Sequence, residues 1–235
     1  MSELGNFEYT GLVELEKLEL NLNNYNNYII NTFIKHSNSN CKRVLDFGAG
    51  IGTLSKIWSD SLENSDITCL EPDEKQVQII NKRGLNGVTQ INENDRYDYI
   101  FTSNVLEHIE DDRSALKFIF DHLIKSGKLG IFVPANKYLF SHIDKKLNHF
   151  RRYSKRDLMQ KVSERGFHID TCIYVDSLGL FAWLFLKLFR VQISDSDSRI
   201  LLIYDRFVWP ISKFLDKLGL KKLFGKNLLL LATKI

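Results

Sequence analysis

Three stretches of this chain hold residues whose types and spacing could do chemistry. The first is Arg43 to Thr53, RVLDFGAGIGT, where Gly48, Gly50 and Gly52 fall at every second position after Asp46. Glycine is needed where backbone turns with positive φ or must approach a ligand with no Cβ in the way. A helix starting there points free N–H groups and a partial positive charge at whatever is bound. The second is Ile67 to Asp73, ITCLEPD, in which Glu71 lies 25 residues after Asp46. A carboxylate roughly 20 residues beyond a glycine turn can accept hydrogen bonds from the two adjacent hydroxyls of a ribose, and Pro72 ends the strand without costing a ladder bond. The third is split between TSNVLEHI (102–109) and VPANKYLFSHIDKKLNHFRRY (133–153), which together carry His108, His142, Asp144, His149, Arg151 and Arg152. Imidazole accepts a proton at neutral pH, and guanidinium binds carboxylate or phosphate through two parallel bonds.

The elements that must position these residues follow from the hydrophobic pattern. From 41 to 133 apolar runs alternate with helical periodicity, which predicts an α/β domain with a parallel sheet. Strands are expected at 43–47, 67–71, 88–91, 97–102 and 128–133, and helices at 53–61, 73–83 and 112–125, the last stopped by Ser126-Gly127. Ser154 should cap a helix over 155–165, GFHIDTCIYVD (166–176) reads as a sixth strand, and KNLLLLATK (226–234) as a last one. The glycine turn then opens a helix after the first strand, Glu71 ends the second, and TSNVLEHI ends the fourth. Open α/β sheets bind ligands at these carboxyl ends.

Spacing separates the glycine stretch from the dinucleotide fingerprint G-x-G-x-x-G. Here the order is D-x-G-x-G-x-G, with Thr53 where that fingerprint wants glycine. It resembles the first motif of class I S-adenosylmethionine (SAM) dependent methyltransferases, and NVLEH resembles the small-molecule branch that includes quinone-biosynthesis enzymes. The resemblance covers about 40–175 and the last strand. It implies a Rossmann-like seven-stranded, mostly parallel sheet with helices on both faces and an antiparallel last strand beside the fifth. It places SAM against Asp46, Gly48, Ala49, Gly50, Gly52, Glu71 and Pro72, with Asn104 and Val105 bordering the methionine part and Asn92, Glu93 or Asn94 at the adenine. Glu107 and His108 fall on the acceptor side, though His108 could equally be a loop residue that holds Glu107. A subset of these enzymes carries Pro-Ala, then Asp, then His-x-Arg-Arg-Tyr after the fifth strand. Asp144, Arg151, Arg152 and Tyr153 match that acceptor segment, while Asn148-His149 stands where Gly-His is commoner. The reaction implied is in-line displacement of the sulfonium methyl, in which alignment alone can be worth about 7–11 kcal/mol. For a hydroxyl acceptor a base adds roughly 10²–10⁴-fold, with His149 placed first and His108 and His142 behind it. The resemblance assigns no metal, His142, Asp144 and His149 are weak evidence for one by spacing, and no C-x-x-C occurs, so none is expected.

Composition narrows the partners. The chain has 235 residues, with 32 basic side chains against 29 acidic ones for a net charge of +3, and this suggests no polyanion; nucleic acid is disfavoured further by the lack of a basic stripe with stacked aromatics. Eight basic and two acidic residues between Lys145 and Arg165 favour an anionic acceptor, with Lys155, Arg156, Lys161 and Arg165 also explicable as a solvated helix face. Three scattered cysteines and no secretory pattern at Met1 to Thr10 fit a reducing cytoplasm. Residues 1–40 form a helical segment or lid ahead of the 41–235 domain. Leu12, Leu15, Leu18 and Leu22 recur at helical spacing, and Tyr25 to Phe33 would either close over a cofactor or pack on the sheet. A helical insert, about 177–225, opens with the apolar run LGLFAWLFLKLF and continues with Phe207, Trp209, Ile211, Phe214 and Leu218 among lysines. At 12 residues the run is short of the roughly 20 that span a bilayer. It could be a core helix, a dimer surface or a helix in a membrane interface, and the insert should cover the acceptor site. Two other functions compete: a nicotinamide-dependent oxidoreductase, against which stand the glycine spacing and the lack of a Tyr-x-x-x-Lys, and a non-catalytic scaffold on the same fold.

Overall fold

The structure is a computed structural model that describes residues 21–37, 41–62, 64–189 and 198–235. The leucine-patterned segment 1–20, including Leu12, Leu15 and Leu18, lies outside the described residues. Seven strands form one sheet: β1 (Arg43–Phe47), β2 (Asp66–Leu70), β3 (Asn86–Val88), β4 (Tyr97–Ser103), β5 (Leu123–Pro134), β6 (Phe167–Val175) and β7 (Asn227–Lys234). Their order is β3-β2-β1-β4-β5-β7-β6. β1 runs parallel to β2 and β4, with Val44 opposite Ile67 and Asp46 opposite Phe101. β7 is antiparallel to both β5 and β6, with Ile131 opposite Leu230 and Cys172 opposite Leu230 on the other side. The chain reverses its direction of winding between β1 and β4, which is the switch point where such sheets bind ligands.

Alternate residues along each strand feed two cores, as a period of two requires. On one face Leu45, Ile100, Leu129, Ile131, Leu228 and Leu230 meet α4 (Asp112–His122) and α6 (Lys155–Glu164) through Leu116, Ile119, Leu158 and Val162. On the other, Val44, Tyr99, Phe101, Phe132 and Leu229 meet α1 (Asn23–His36) and α2 (Thr53–Ser61). The remaining helices are α3 (Glu74–Lys82), α5 (His142–Lys146), α7 (Ser177–Leu188), α8 (Ser198–Ile203) and α9 (Trp209–Lys217).

The structure differs from the sequence reading in several places, among them the fifth strand, which begins at Leu123 and not at 128. β3 ends at Val88 because pairing with β2 stops at Leu70, and the chain then turns, Asp95 N–H donating to the Asn92 carbonyl at 3.0 Å. α4 ends at His122, three residues early, since Ser126 takes φ +61° and Leu123 already pairs with Tyr97. Tyr25 to Phe33 is helical and packs on the sheet rather than forming a lid. Phe33 lies 5.7 Å from Phe101 ring to ring, and Gly130 leaves it room, because a Cβ there would meet the Phe33 ring at 2.6 Å.

The insert docks on that same face. Trp209, 1% exposed, meets Tyr25 and Tyr28 edge-on at 4.6 and 5.1 Å. Asp205 acts as a remote cap for α1, accepting from the Asn24 and Tyr25 N–H groups at 2.9 Å each. Asp216 accepts from Asp176 N–H at 2.8 Å, and Asp176 in turn from Ser212 Oγ and Gly179 N–H at 3.0 Å. These buried carboxylates have partners on every side, so they hold the insert in place.

Candidate active site

The glycine turn folds as its spacing requires. Gly48, Gly50 and Gly52 have φ of +79°, +58° and +80°, the left-handed region that other residues enter at a cost. Gly48 and Ala49 N–H groups both donate to the Leu70 carbonyl, at 2.9 and 3.1 Å, which ties the turn to the end of β2. Glu71 sits immediately beyond, buried, with Oε2 accepting from Gly50 N–H at 2.9 Å and Oε1 from Asp73 N–H at 3.2 Å. Burial raises the Glu71 carboxyl above its ordinary range against those two bonds. Asp46 is 2% exposed and accepts from Ser55 Oγ at 2.7 Å, and burial pushes it up to about 7. Pro72 is exposed beside Glu71, and Asp73 caps α3.

β4 brings the second stretch to the same edge. Asn104 takes φ +54° and donates its N–H to the Phe132 carbonyl at 2.8 Å. Val105 covers the glycine turn so closely that a Cβ on Gly48 would fall 2.5 Å from its Cγ2. The first and third motifs are thus in contact across the switch point. Asn92 lies on the exposed turn that follows β3, its N–H bonded to Asp95 Oδ2 at 3.0 Å.

After Val105 a 3₁₀ turn, Leu106–His108, buries Glu107 completely. Neither oxygen of its carboxylate meets a hydrogen-bond partner from another residue. Burial pushes this carboxyl up to about 8, with Arg152 only partly opposing. The segment after β5 returns to it: Phe150 N–H donates to the Glu107 carbonyl at 2.8 Å, and Tyr153 N–H to the Pro134 carbonyl at 2.9 Å. His149 thereby meets His108 edge to face, with ring centroids 4.6 Å apart. Burial, then the neighbouring His149, lowers His108 to about 4. Asp144 is wholly buried and accepts from His149 Nδ1 at 3.0 Å, Arg152 Nε at 2.6 Å and Ser141 N–H at 2.9 Å. Burial alone would raise it, but His149 and Arg152 hold it below the ordinary carboxylate range.

Of the residues expected at the acceptor, the fold brings together Glu107, His108, Asp144, His149 and Arg152. His142 does not join them; it is exposed at the start of α5. Arg152 is spent on Asp144 and on the Trp183 ring, 4.4 Å away. Arg151 is spent on Asp112 at 3.2 Å and on the Glu110 carbonyl at 2.6 Å. Tyr153 is buried, with its hydroxyl 2.8 Å from Asp112 Oδ2. Lys161, expected on a solvated face, also pairs with Asp112, at 2.6 Å. Asp112 gathers these three side chains and was not singled out in the sequence, where it looks like one more acid in an ordinary helix start. Trp183 is the other omission; it lies inside an apolar run that offers no way to choose among its members.

A family model described as a methyltransferase domain matches residues 23–171. No curated protein sequence matches the chain. Among solved structures, a SAM-dependent methyltransferase from Archaeoglobus fulgidus is similar at 17% identity and TM-score 0.59, over 94% of each chain. Phosphoethanolamine N-methyltransferase 2 of Haemonchus contortus, in complex with SAM, is similar at 15% identity and TM-score 0.63, over 99% of this chain but 59% of its own. The [4+2]-cyclase SpnF also shares the fold, at 17% identity and TM-score 0.59 over 88% of this chain and 80% of its own, so the fold alone does not fix the reaction. With the family model spanning most of the chain, from α1 into β6, this protein belongs to the methyltransferase-domain family.

Proposed function

We propose that this methyltransferase moves the methyl group of SAM to a hydroxyl on a lipid-linked, sugar-like or anionic acceptor held between the ends of β4 and β5. When bound, SAM supplies an already activated methyl group and leaves as S-adenosylhomocysteine after in-line displacement. The residues present suit that cofactor: a left-handed glycine turn that no Cβ could replace, Glu71 beyond it for the ribose, and a buried Asp46 with one hydroxyl partner. Val105 and Asn104 stand across the switch point, where the methionine part would lie.

The observation that carries the hydroxyl is the His108–His149 pair beside Glu107, reached directly from the residue that covers the glycine turn. Asp144 fixes His149 by its Nδ1, so Nε2 is the ring nitrogen left for the acceptor. An amine acceptor has a lone pair of its own and gains less from such a cluster. The two arginines that would grip an anion are already paired, which weakens the anionic choice and leaves the lipid-linked one better supported. Phe181, Phe185 and Leu188 of α7 and Phe207, Ile211 and Phe214 of the later insert are exposed, with Lys213, Lys217, Lys221 and Lys222 around them. Trp183, on α7, rests on Arg152 of the site. No described helix is long and apolar enough to cross a membrane; peripheral contact through this surface would bring the site to an acceptor held in a lipid layer.

The experiment is transfer of labelled methyl from SAM to a cell extract divided into lipid and aqueous fractions. Label in the lipid fraction, stable to conditions that cleave esters, is expected. Label only in neutral soluble compounds would defeat the acceptor assignment, and label only in amines would defeat the hydroxyl.

A further inference from the structure

Glu107 has no counterpart among the buried acids of the described residues. Asp144, Asp176, Asp205 and Asp216 each accept several hydrogen bonds, whereas the Glu107 carboxylate, 0% exposed, meets no other residue's donor. Burying a carboxylate without partners costs several kcal/mol in general, so a fold that keeps one has something to put beside it. The side chains nearest by are imidazoles. One donor atom each from Glu107, His108 and His149 lies within 4.8 Å of the other two.

We propose that Glu107, His108 and His149 bind one divalent transition-metal ion, of the kind Zn²⁺ or Mn²⁺ represents, and leave an open position toward the acceptor. Two imidazoles and one carboxylate form a donor set suited to such ions, and three protein ligands with a vacant place are the arrangement of catalytic sites. The supporting contacts are those of ligating histidines, which give their second ring nitrogen to a carboxylate or a backbone carbonyl. His149 gives Nδ1 to Asp144, and His108 is hydrogen-bonded to the backbone of Asn148. Asn148 has φ +58°, so the left-handed turn that replaces the commoner glycine is what delivers both contacts. The charge balance also suits a cation. Arg152 is neutralised by Asp144 and so is not available as the cation for Glu107. Bonds of about 2.1 Å in tetrahedral array put ligand atoms about 3.4 Å apart, so side-chain rotation must close the cluster by roughly an ångström. An acceptor oxygen bound at the open place would lose its proton to solvent water more readily, with the resulting oxyanion taking the methyl group from the sulfonium of SAM. In that case the ion, with the histidines as its ligands, activates the hydroxyl. Only this last consequence rests on the methyl-transfer reading; binding of the ion does not.

The test uses the full chain, stripped with chelator, and titrated separately with ZnCl₂, MnCl₂ and CoCl₂ by calorimetry. The visible absorption of Co²⁺ reports coordination number. One ion per chain is expected, with a four- or five-coordinate cobalt spectrum. Glu107→Gln, His108→Ala and His149→Ala should each weaken binding at least tenfold, and Asp144→Asn by about 10–100-fold. His168→Ala, an exposed histidine on β6, should leave it unchanged. Glu107→Gln removes the ligating carboxylate at constant shape, so it keeps the test open should a histidine variant fail to fold. No saturable binding to the wild type, a six-coordinate aquo-like spectrum, or equal binding by Glu107→Gln would overturn the proposal. SAM titrated in parallel separates the two readings: SAM binding without metal binding defeats the ion alone, and metal binding without SAM binding defeats the cofactor assignment alone.

Discussion

Asp46→Asn should make the ligand-free protein more stable at alkaline pH while weakening its hold on SAM. The carboxyl is buried with one hydroxyl donor, and burial raises it from 3.8 to about 7. Below pH 3.8 it is protonated folded or unfolded, and nothing is lost. As pH rises from there to about 7, the unfolded chain releases the proton while the fold retains it, so stability falls; above 7 the loss levels off. At about 1.4 kcal/mol per tenfold change in proton affinity, the whole displacement is roughly 4 kcal/mol, of which about 2.5 falls between pH 5 and pH 8. Asparagine does not titrate, and its new NH₂ group carries a cost that pH does not change. The stability difference between variant and wild type should therefore move toward the variant by about 2–3 kcal/mol from pH 5 to pH 8, or about 5–10 °C in Tm at this chain length. Urea melts at the two pH values, without ligand, measure it. A difference that stays flat with pH, or moves toward the wild type, would refute the reasoning.

Four further outcomes are expected. Gly48→Ala should reduce SAM affinity and stability together, since it adds about 1–2 kcal/mol of left-handed strain to a 2.5 Å contact with Val105. Adding Val105→Ala should recover the contact part and leave the strain, as melts of the double variant would show. Glu71→Gln should weaken SAM about 10–100-fold by calorimetry, because it exchanges one of two acceptor oxygens facing Gly50 and Asp73 for a donor, and bonds to a charged group are worth about 1.5–3 kcal/mol. Phe185→Ser with Phe207→Ser should lower partitioning onto anionic vesicles tenfold or more, each ring being worth about 1.5–3 kcal/mol when buried, with SAM binding unchanged. Asn148→Gly should keep the fold within about 1 kcal/mol, whereas Asn148→Val should lose more than that, because a β-branched residue is disfavoured at φ +58°.

The α/β order and the glycine turn could be read in the sequence because each depends on residues close together in the chain, whereas the place of the antiparallel β7 beside β5 came only from the family resemblance. Short continuous apolar runs such as KLGIFVP and KNLLLLATK declare buried strands, and Asp46 to Gly52 declares its own turn. The ends of elements were less legible. Ser126 enters a left-handed conformation that a Ser-Gly pair permits without dictating where α4 stops. Whether Tyr25 to Phe33 forms a lid or packs on the sheet depends on Gly130, nearly a hundred residues later, leaving room for Phe33. Arg151 and Arg152 look like an anion site in the sequence because their partners, Asp112 and Asp144, can be identified only after the chain has closed.

The buried acids show which contacts mark function. Asp144, Asp205 and Asp216 each receive two or more hydrogen bonds from groups far along the chain or across a turn, and each organises a segment: the 141–152 loop, the start of α1, the root of the insert. Their removal would leave donors stranded, which is the cost of a structural part. Asp46 and Glu107 have one partner and none from another residue, and Glu71 holds only two backbone N–H groups of the turn it faces. All three are raised by burial, and all three lie where β1, β2 and β4 end. A fold under selection for stability alone would replace such groups with apolar ones or supply them with donors. Their scarcity of partners fits the proposed ligands: hydroxyls and amines of a nucleoside could satisfy Asp46 and Glu71, and a cation could satisfy Glu107. The sequence shows four of these six acids as motif members of equal standing and passes over Asp205 and Asp216; the partners around each one, together with its place at the strand ends, set the acids that hold the protein together apart from those proposed to meet a ligand.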